Sequence, residues 1–180
     1  YDGQEFLRGD VGGFDSWYAG NSGTNATGFA NTTFGWNALS FGPNTGAFNT
    51  AMGFAAMQSN TSGQNNTAIG AACMFNNQTG IDNTCLGNSA GVSITSGSVN
   101  IVIGVACEPA SGTASGQLSI GNYIYGTGLT GTGATISTGK IGIGVKAPVV
   151  ELDVAGSVKT NAVLVSALPA PGNPSSVGVS

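Results

Sequence analysis

A pentapeptide recurs along the middle of this chain at nearly constant spacing. Its copies are Asn31-Thr-Thr-Phe34-Gly35, Asn49-Thr-Ala-Met52-Gly53, Asn66-Thr-Ala-Ile69-Gly70, Asn83-Thr-Cys-Leu86-Gly87 and Asn100-Ile-Val-Ile103-Gly104. Gln117-Leu-Ser-Ile120-Gly121 is a degenerate sixth copy. The steps between copies are 18 residues once and then 17 four times. Glycine also stands three residues before each of the first five copies, at Gly28, Gly46, Gly63, Gly80 and Gly97. A small residue stands three after each closing glycine, at Ala38, Ala56, Cys73, Ala90 and Cys107. A unit this short cannot bury a core of its own. Stacked units can, so a fixed period of this length predicts a solenoid.

Within each copy the pattern reads as a short strand, whose side chains alternate between two faces. The second and fourth positions share one face. The fourth is always large and apolar: Phe34, Met52, Ile69, Leu86, Ile103 and Ile120. The expectation is that these six stack as a column on the core face, beside Thr32, Thr50, Thr67 and Thr84. The small third position then offers the opposite face for close packing against a second surface. The closing glycine supplies a corner at positive φ, and the Thr-Gly or Ser-Gly pair supplies a second bend. Aligned Asn side chains can hydrogen-bond from coil to coil. Glycine, Asn and Thr at this density disfavour helix. The predicted fold is all-β, a parallel β-roll or solenoid of about six 17-residue coils followed by a small β module.

The remaining chain divides around that array. Residues 1–14 form a non-repeating N-terminal segment, 15–125 the β-roll, 126–139 a Gly/Thr linker, 140–160 the small β module and 161–180 an extended linker. Trp17 to Gly28 reads as an incomplete first coil, about two residues out of step. In the module, Val149–Val154 and Ser157-Val158-Lys159 read as strands around the Ala155-Gly156 turn. The chain lacks an initiator Met and stops inside the last linker, which points to a piece of a longer polypeptide.

Composition narrows the function. Four Lys or Arg and eight Asp or Glu are the only charged residues, and there is no histidine. Four cations cannot make the basic stripe that phosphate neutralisation needs, so nucleic acid is not an expected partner. No apolar run is long enough to insert in a membrane as a helix. No triad with a histidine base can be built in this chain. Cys73, Cys85 and Cys107 have no metal-site spacing and read as buried small hydrophobes in slots otherwise held by Ala. No cofactor, metal or catalytic residue is expected, and the chain reads as a non-enzyme.

Several short motifs have a structural reading here. Gly87-Asn-Ser89-Ala-Gly91 has the nucleophile-elbow pattern but falls in the repeat frame. Gly126-Thr-Gly128-Leu-Thr-Gly131 matches the dinucleotide fingerprint but has no helix to follow it, and Gly133 to Lys140 nearly spells a phosphate loop but has one residue too many and Ile141 in place of the Ser or Thr that would hold magnesium. Arg8-Gly9-Asp10 is an isolated tripeptide. The sequons at Asn25, Asn31, Asn60, Asn65 and Asn77 follow from Asn and Thr richness and read as turns and ladders.

The repeat, with the form Asn-Thr-Ala-Ile-Gly-x-x-Ala-Leu/Met-x-x-Asn-x-Thr/Ser-Gly, resembles the head repeats of trimeric autotransporter adhesins. It is also similar to repeats in bacteriophage tail fibres. Independently, Lys140-Ile-Gly-Ile-Gly144 through Val149-Val-Glu-Leu-Asp-Val-Ala-Gly-Ser-Val-Lys159 resembles a segment of phage tail-fibre proteins often found ahead of a C-terminal chaperone. Val145 stands where that segment usually has Thr. The resemblance implies a homotrimer of left-handed parallel β-rolls in a virion or extracellular setting. Its partners would be copies of itself, other appendage or baseplate proteins, and a host-cell receptor or glycan. The expected function is a rigid trimeric shaft of a tail fibre that carries or contributes to receptor binding. The alternatives are a bacterial surface adhesin head and a polysaccharide-cleaving fibre drawing on Asp82 and Glu108. Ice binding would need the Thr column, which the core-face expectation removes from solvent.

Overall fold

The computed structural model describes residues 28–40, 43–130 and 138–158, together with the backbone of two strands at Leu7–Gly9 and Trp17–Ala19. Residues 161–180, expected as a linker, lie outside the described residues, as do 131–137. Eleven three-residue strands form one sheet in strict chain order. They are β1 (Leu7–Gly9), β2 (Trp17–Ala19), β3 (Thr32–Phe34), β4 (Thr50–Met52), β5 (Thr67–Ile69), β6 (Thr84–Leu86), β7 (Ile101–Ile103), β8 (Leu118–Ile120), β9 (Ile124–Gly126), β10 (Ile141–Ile143) and β11 (Leu152–Val154). Every described strand outside the first two and last three is a copy of the pentapeptide. The described residues contain no helix.

From β2 to β8 all pairings are parallel, as expected when each strand is reached by a full turn of a coil. The register is constant: Phe34 pairs with Met52, Met52 with Ile69, Ile69 with Leu86, Leu86 with Ile103 and Ile103 with Ile120. The repeat therefore winds as a β-solenoid. Trp17 pairs with Thr32, a step of 15 residues, so the first coil is indeed about two residues short.

The columns exist, but their faces are the reverse of the expected ones. The small third position lies inside: Thr33, Ala51, Ala68, Cys85, Val102 and Ser119 are all buried. The large fourth position lies outside, with Phe34 57% and Leu86 47% exposed. Thr32 and Thr84 are exposed with it, and Thr50 and Thr67 partly so. The reason is space. The third position of one coil packs against the small column of the coil before it. Cys73 Sγ donates to Cys85 O at 3.2 Å, and Cys107 Sγ lies 3.1 Å from Ser119 Oγ. A 17-residue winding leaves a core only about two side chains thick. Leu39, Met57, Met74 and Ile94, all buried, fill the rest of it.

Two sets of interactions hold successive coils in phase. The first is an asparagine ladder, buried throughout. The Oδ1 of Asn31, Asn49, Asn66, Asn83 and Asn100 accepts from the backbone N–H of the matching residue one coil on, at 2.9–3.0 Å. The Nδ2 of the first four donates to the carbonyls of Gly46, Gly63, Gly80 and Gly97, each at 2.9 Å. A second, shorter ladder runs through Asn44, Asn60 and Asn77. It ends where Ile94 takes over the column, and Asn77 Oδ1 there accepts no hydrogen bond from the described residues.

The second is the corner glycine. Gly53 has φ 134°, and a Cβ on it would lie 2.5 Å from the carbonyl oxygen of Gly70 in the next coil. Backbone stacks on backbone at that corner, which leaves no room for a side chain. The bend at Gly46 has a different cause: its φ is not positive, but a Cβ would run into Gly63 O and the Asn60 side chain.

The array ends by turn chemistry. Gly121 (φ 60°) and Asn122 (φ 53°) are both left-handed, and they reverse the chain so that β9 runs antiparallel to β8. β10 is antiparallel to β9, and β11 parallel to β10. The sheet thus continues into the Lys140–Val154 region. The strand expected over Val149–Val154 is confined to Leu152–Val154. Val149 and Val150 form a bend whose Val149 N–H donates to Asp153 Oδ2 at 3.1 Å. Ser157 and Val158 are not in a strand, and Lys159 lies outside the described residues.

Candidate functional site: an apolar ribbon on the solenoid

Reversal of the strand faces creates the main surface feature. Phe34, Met52, Ile69, Leu86, Ile103 and Ile120 form a continuous outer column, since their strands are hydrogen-bonded in register. In β7 and β8 the second position is apolar as well, at Ile101 and Leu118. The ribbon runs on into the last three strands. Ile120 pairs with Ile124, Ile124 with Ile143 and Ile141 with Leu152, with Ile124, Ile141 and Leu152 exposed. Monomeric soluble proteins rarely expose contiguous apolar patches beyond a few hundred Å².

Exposed apolar residues also flank the ribbon. Phe29 and Phe48 lie just before β3 and β4 and make an edge-to-face pair, with ring centroids 5.0 Å apart and planes at 80°. Trp36 and Phe54, just after the same strands, are 58% and 60% exposed. The opposite side of each coil is polar, and Thr45 and Thr61 donate their hydroxyls to carbonyls of the next coil.

Other candidate chemistry resolves into structure. Cys73, Cys85 and Cys107 are free thiols with no exposure. Hydrogen bonding with the Cys73 side chain, and then burial, push the Cys85 thiol far above its ordinary range. Glu108 is held by the N–H and hydroxyl of Ser93, and its own N–H donates to Asn122 Oδ1 at 3.0 Å. Asp82 sits exposed at a left-handed turn (φ 56°). Among the described residues no group of His, Cys, Asp and Glu is placed to hold a metal ion.

The motif residues also occupy ordinary repeat positions. Ser89 is a left-handed turn residue (φ 54°) whose hydroxyl bonds Asn88 Oδ1 at 3.1 Å. Gly126 closes β9, residues 127–130 are not helical, and Gly131 lies outside the described residues. Arg8 and Gly9 lie in β1 paired with Tyr18 and Trp17, while Asp10 is outside the described residues. Asn31, Asn60 and Asn77 are buried ladder residues, and Asn65 is a left-handed turn (φ 55°).

Sequence reasoning missed which residues fill the core and which lie in left-handed conformations. Leu39, Met57 and Met74 recur right after the buried small residue, and that recurrence was available as a signal. Compared with protein-family models, curated proteins and solved structures, the chain gave no significant match.

Proposed function

We propose that this chain is a structural and recognition segment of a phage tail fibre or a similar virion appendage, built as a rigid homotrimeric shaft. One observation carries the reading: a single chain leaves its largest apolar column in water from β3 to the last strands of the sheet. Burial of such a column against other copies is strongly favoured, at roughly 25 cal/mol per Å² of apolar surface removed. The copy number of three comes from the resemblance of the repeat to trimeric adhesin heads. The tail-fibre assignment comes from the second resemblance, in Lys140–Lys159.

In this role the chain's work is mechanical. In-phase coils tied by buried amide ladders give a stiff rod with little to bend. Such a rod holds a receptor-binding tip away from the particle or presents one itself. Its partners are its own copies, neighbouring appendage or baseplate proteins, and a host-cell receptor or glycan.

Light scattering on the purified chain tests the assembly. The expected mass is three times 17.7 kDa. Leu86→Lys, on the ribbon, is expected to give monomers at micromolar concentration with an unchanged β-type circular dichroism spectrum. A monomeric native chain overturns the reading. Flanking capsid, portal or baseplate genes support the virion setting, whereas flanking secretion and anchor sequences transfer it to a bacterial surface adhesin.

A further inference from the structure

We propose that Cys73 and Cys85 are a cross-linking pair, which closes a disulfide between the coil begun by β5 and the coil begun by β6. The link lies within one chain and is independent of how chains assemble.

The fold brings these two cysteines face to face across the core. Cys85 is the inward third position of β6, and Cys73 stands in the small column that this position packs against. Cys73 Sγ reaches Cys85 O at 3.2 Å. The same 12-residue offset joins Cys107 to Ser119, whose Sγ and Oγ are 3.1 Å apart, so these two slots meet through the ends of their side chains. At other levels the offset pairs Ala56 with Ala68 and Ala90 with Val102. Only the Cys73 level has a thiol on both sides. A Cβ on Gly91 would lie 2.7 Å from Cys85 Sγ and 3.6 Å from Met74 Cγ. The Cys85 sulfur thus shares the gap left by that missing side chain with the residue that follows Cys73. Hydrogen bonding with the Cys73 side chain is also the largest cause of the raised Cys85 thiol, as expected for two sulfurs in contact.

A covalent tie has a physical role at this junction. The second asparagine ladder lapses between the same two coils. Asn77 belongs to the β5 coil, and Ile94 takes its slot in the β6 coil, which leaves Asn77 Oδ1 with no donor among the described residues. A disulfide restores a cross-connection where the hydrogen-bonded one stops. Cys107 stands outside the pair. It shares the Cys73 column two coils on, about 9–10 Å away, beyond disulfide reach. Its sulfur meets Ser119 Oγ and the Asn122 N–H instead.

The oxidant is a small disulfide, oxidised glutathione. The thiolate of one cysteine attacks it, forming a mixed disulfide and releasing one glutathione thiol. The thiolate of the other cysteine attacks the mixed disulfide and releases the second glutathione. Two protein thiols lose two electrons and two protons, which the two glutathione thiols carry away. Attack needs a thiolate within reach of the oxidant. In the wound coil both sulfurs are fully buried and Cys85 resists ionisation. The link therefore closes before the β6 coil docks, and winding then shields it from exchange.

Refolding the full chain from urea with oxidised glutathione tests the pair. The products are denatured, alkylated with iodoacetamide and mapped by mass after chymotrypsin, which separates the two cysteines by cleavage after Phe75 and Leu86. The expected product has Cys73 linked to Cys85, Cys107 alkylated and an unchanged β-type circular dichroism spectrum. Cys107→Ala should keep the link. Cys85→Ala, which places there the residue of Ala51 and Ala68, should leave Cys73 alkylated. A chain wound under reducing conditions and then given the same oxidant should link more slowly by about tenfold or more. The linked chain should unfold at a higher urea midpoint than the reduced chain. Absence of the Cys73–Cys85 link after oxidative refolding, a link through Cys107, or a link gained only with loss of the β spectrum overturns the pair. Equal linking rates overturn closure before docking, and an equal or lower midpoint overturns the tie between coils.

Discussion

Ala68 and Ile69 are neighbours in β5, yet the first is fully buried and the second is 38% exposed. The same contrast holds in every coil, between an inner column of small residues and an outer column of large ones. An ordinary sheet on one core has it the other way round, with large apolar residues inside and polar ones out. The inversion follows from how thin the coil is. Its interior is filled by the small third-position side chains, the small column opposite them, and Leu39, Met57 and Met74. The inner face is built for the fit of one coil on the next. The outer face is built for something the single chain does not contain.

That comparison breaks most sharply at the inner corner. Gly53→Ala places a methyl group 2.5 Å from Gly70 O and 2.6 Å from Gly70 C, at a φ that L residues rarely adopt. Neither the corner nor the next coil can yield without disturbing the stack. The expected loss is about 3 kcal/mol or more, enough to lower yield or abolish two-state urea unfolding. A variant with an unfolding midpoint close to that of the parent would show that the coils are not in rigid contact there.

The ladder comes next. Asn66 donates to Gly80 O and Asn49 Oδ1 and accepts from the N–H and Nδ2 of Asn83. Asn66→Ala leaves the Asn83 N–H without its acceptor in a dry interior, and leaves the Gly80 carbonyl with only the longer bond from Asn77 Nδ2 at 3.2 Å. An orphaned N–H costs about 1–3 kcal/mol and a lost hydrogen bond about 1 kcal/mol, so the summed loss in urea unfolding is about 2–4 kcal/mol. Substitution of an outer residue on the same coil, measured on dissociated chains, should cost far less.

A finer test lies at the end of the second ladder. Ile94 fills the slot that Asn44, Asn60 and Asn77 occupy in the preceding coils, and Asn77 Oδ1 lacks a donor there. Ile94→Ala should cost about 2–4 kcal/mol through lost burial and a cavity. Ile94→Asn loses similar apolar surface but can offer its Nδ2 to Asn77 Oδ1. It should therefore be less destabilising than Ile94→Ala by about 1 kcal/mol in the same urea titration. Equal losses would mean that the orphan acceptor is not costly.

Much of this was legible in the sequence, because periodicity and turn chemistry are local signals. The 17-residue phase gave the solenoid, the recurrent Asn gave the ladder, and the closing glycine gave the positive-φ corner. Which face points inward was not legible from alternation, which distinguishes two faces without ranking them. Size misled, since large apolar residues usually mark a core. The corrective clue was the Leu39, Met57 and Met74 column, which already supplies the core's bulk. The left-handed Ala30, Phe48 and Val99 were hidden for a different reason. Their side chains disfavour that conformation, so only the stacking of each coil on Asn65-like neighbours reveals it. Val149 and Val150 resembled a strand by propensity, and the Asp153 side chain holds the bend instead.

The smallest expected effect separates the two faces most cleanly. Val99 lies on the outside, and its φ of 57° is unfavourable for a β-branched residue. Asn65 stands two coils earlier at φ 55° with a side chain that tolerates it. Val99→Asn should therefore raise the stability of the dissociated chain by about 1 kcal/mol, read as a higher urea midpoint with an unchanged slope. The same substitution removes an apolar side chain from the outer surface, so assembly should weaken as the coil strengthens. Opposite signs in the two measurements would mean that Val99 serves contacts between chains at the expense of its own fold. A gain or loss in both would place its role within the coil and erase the distinction between inner and outer faces at that level.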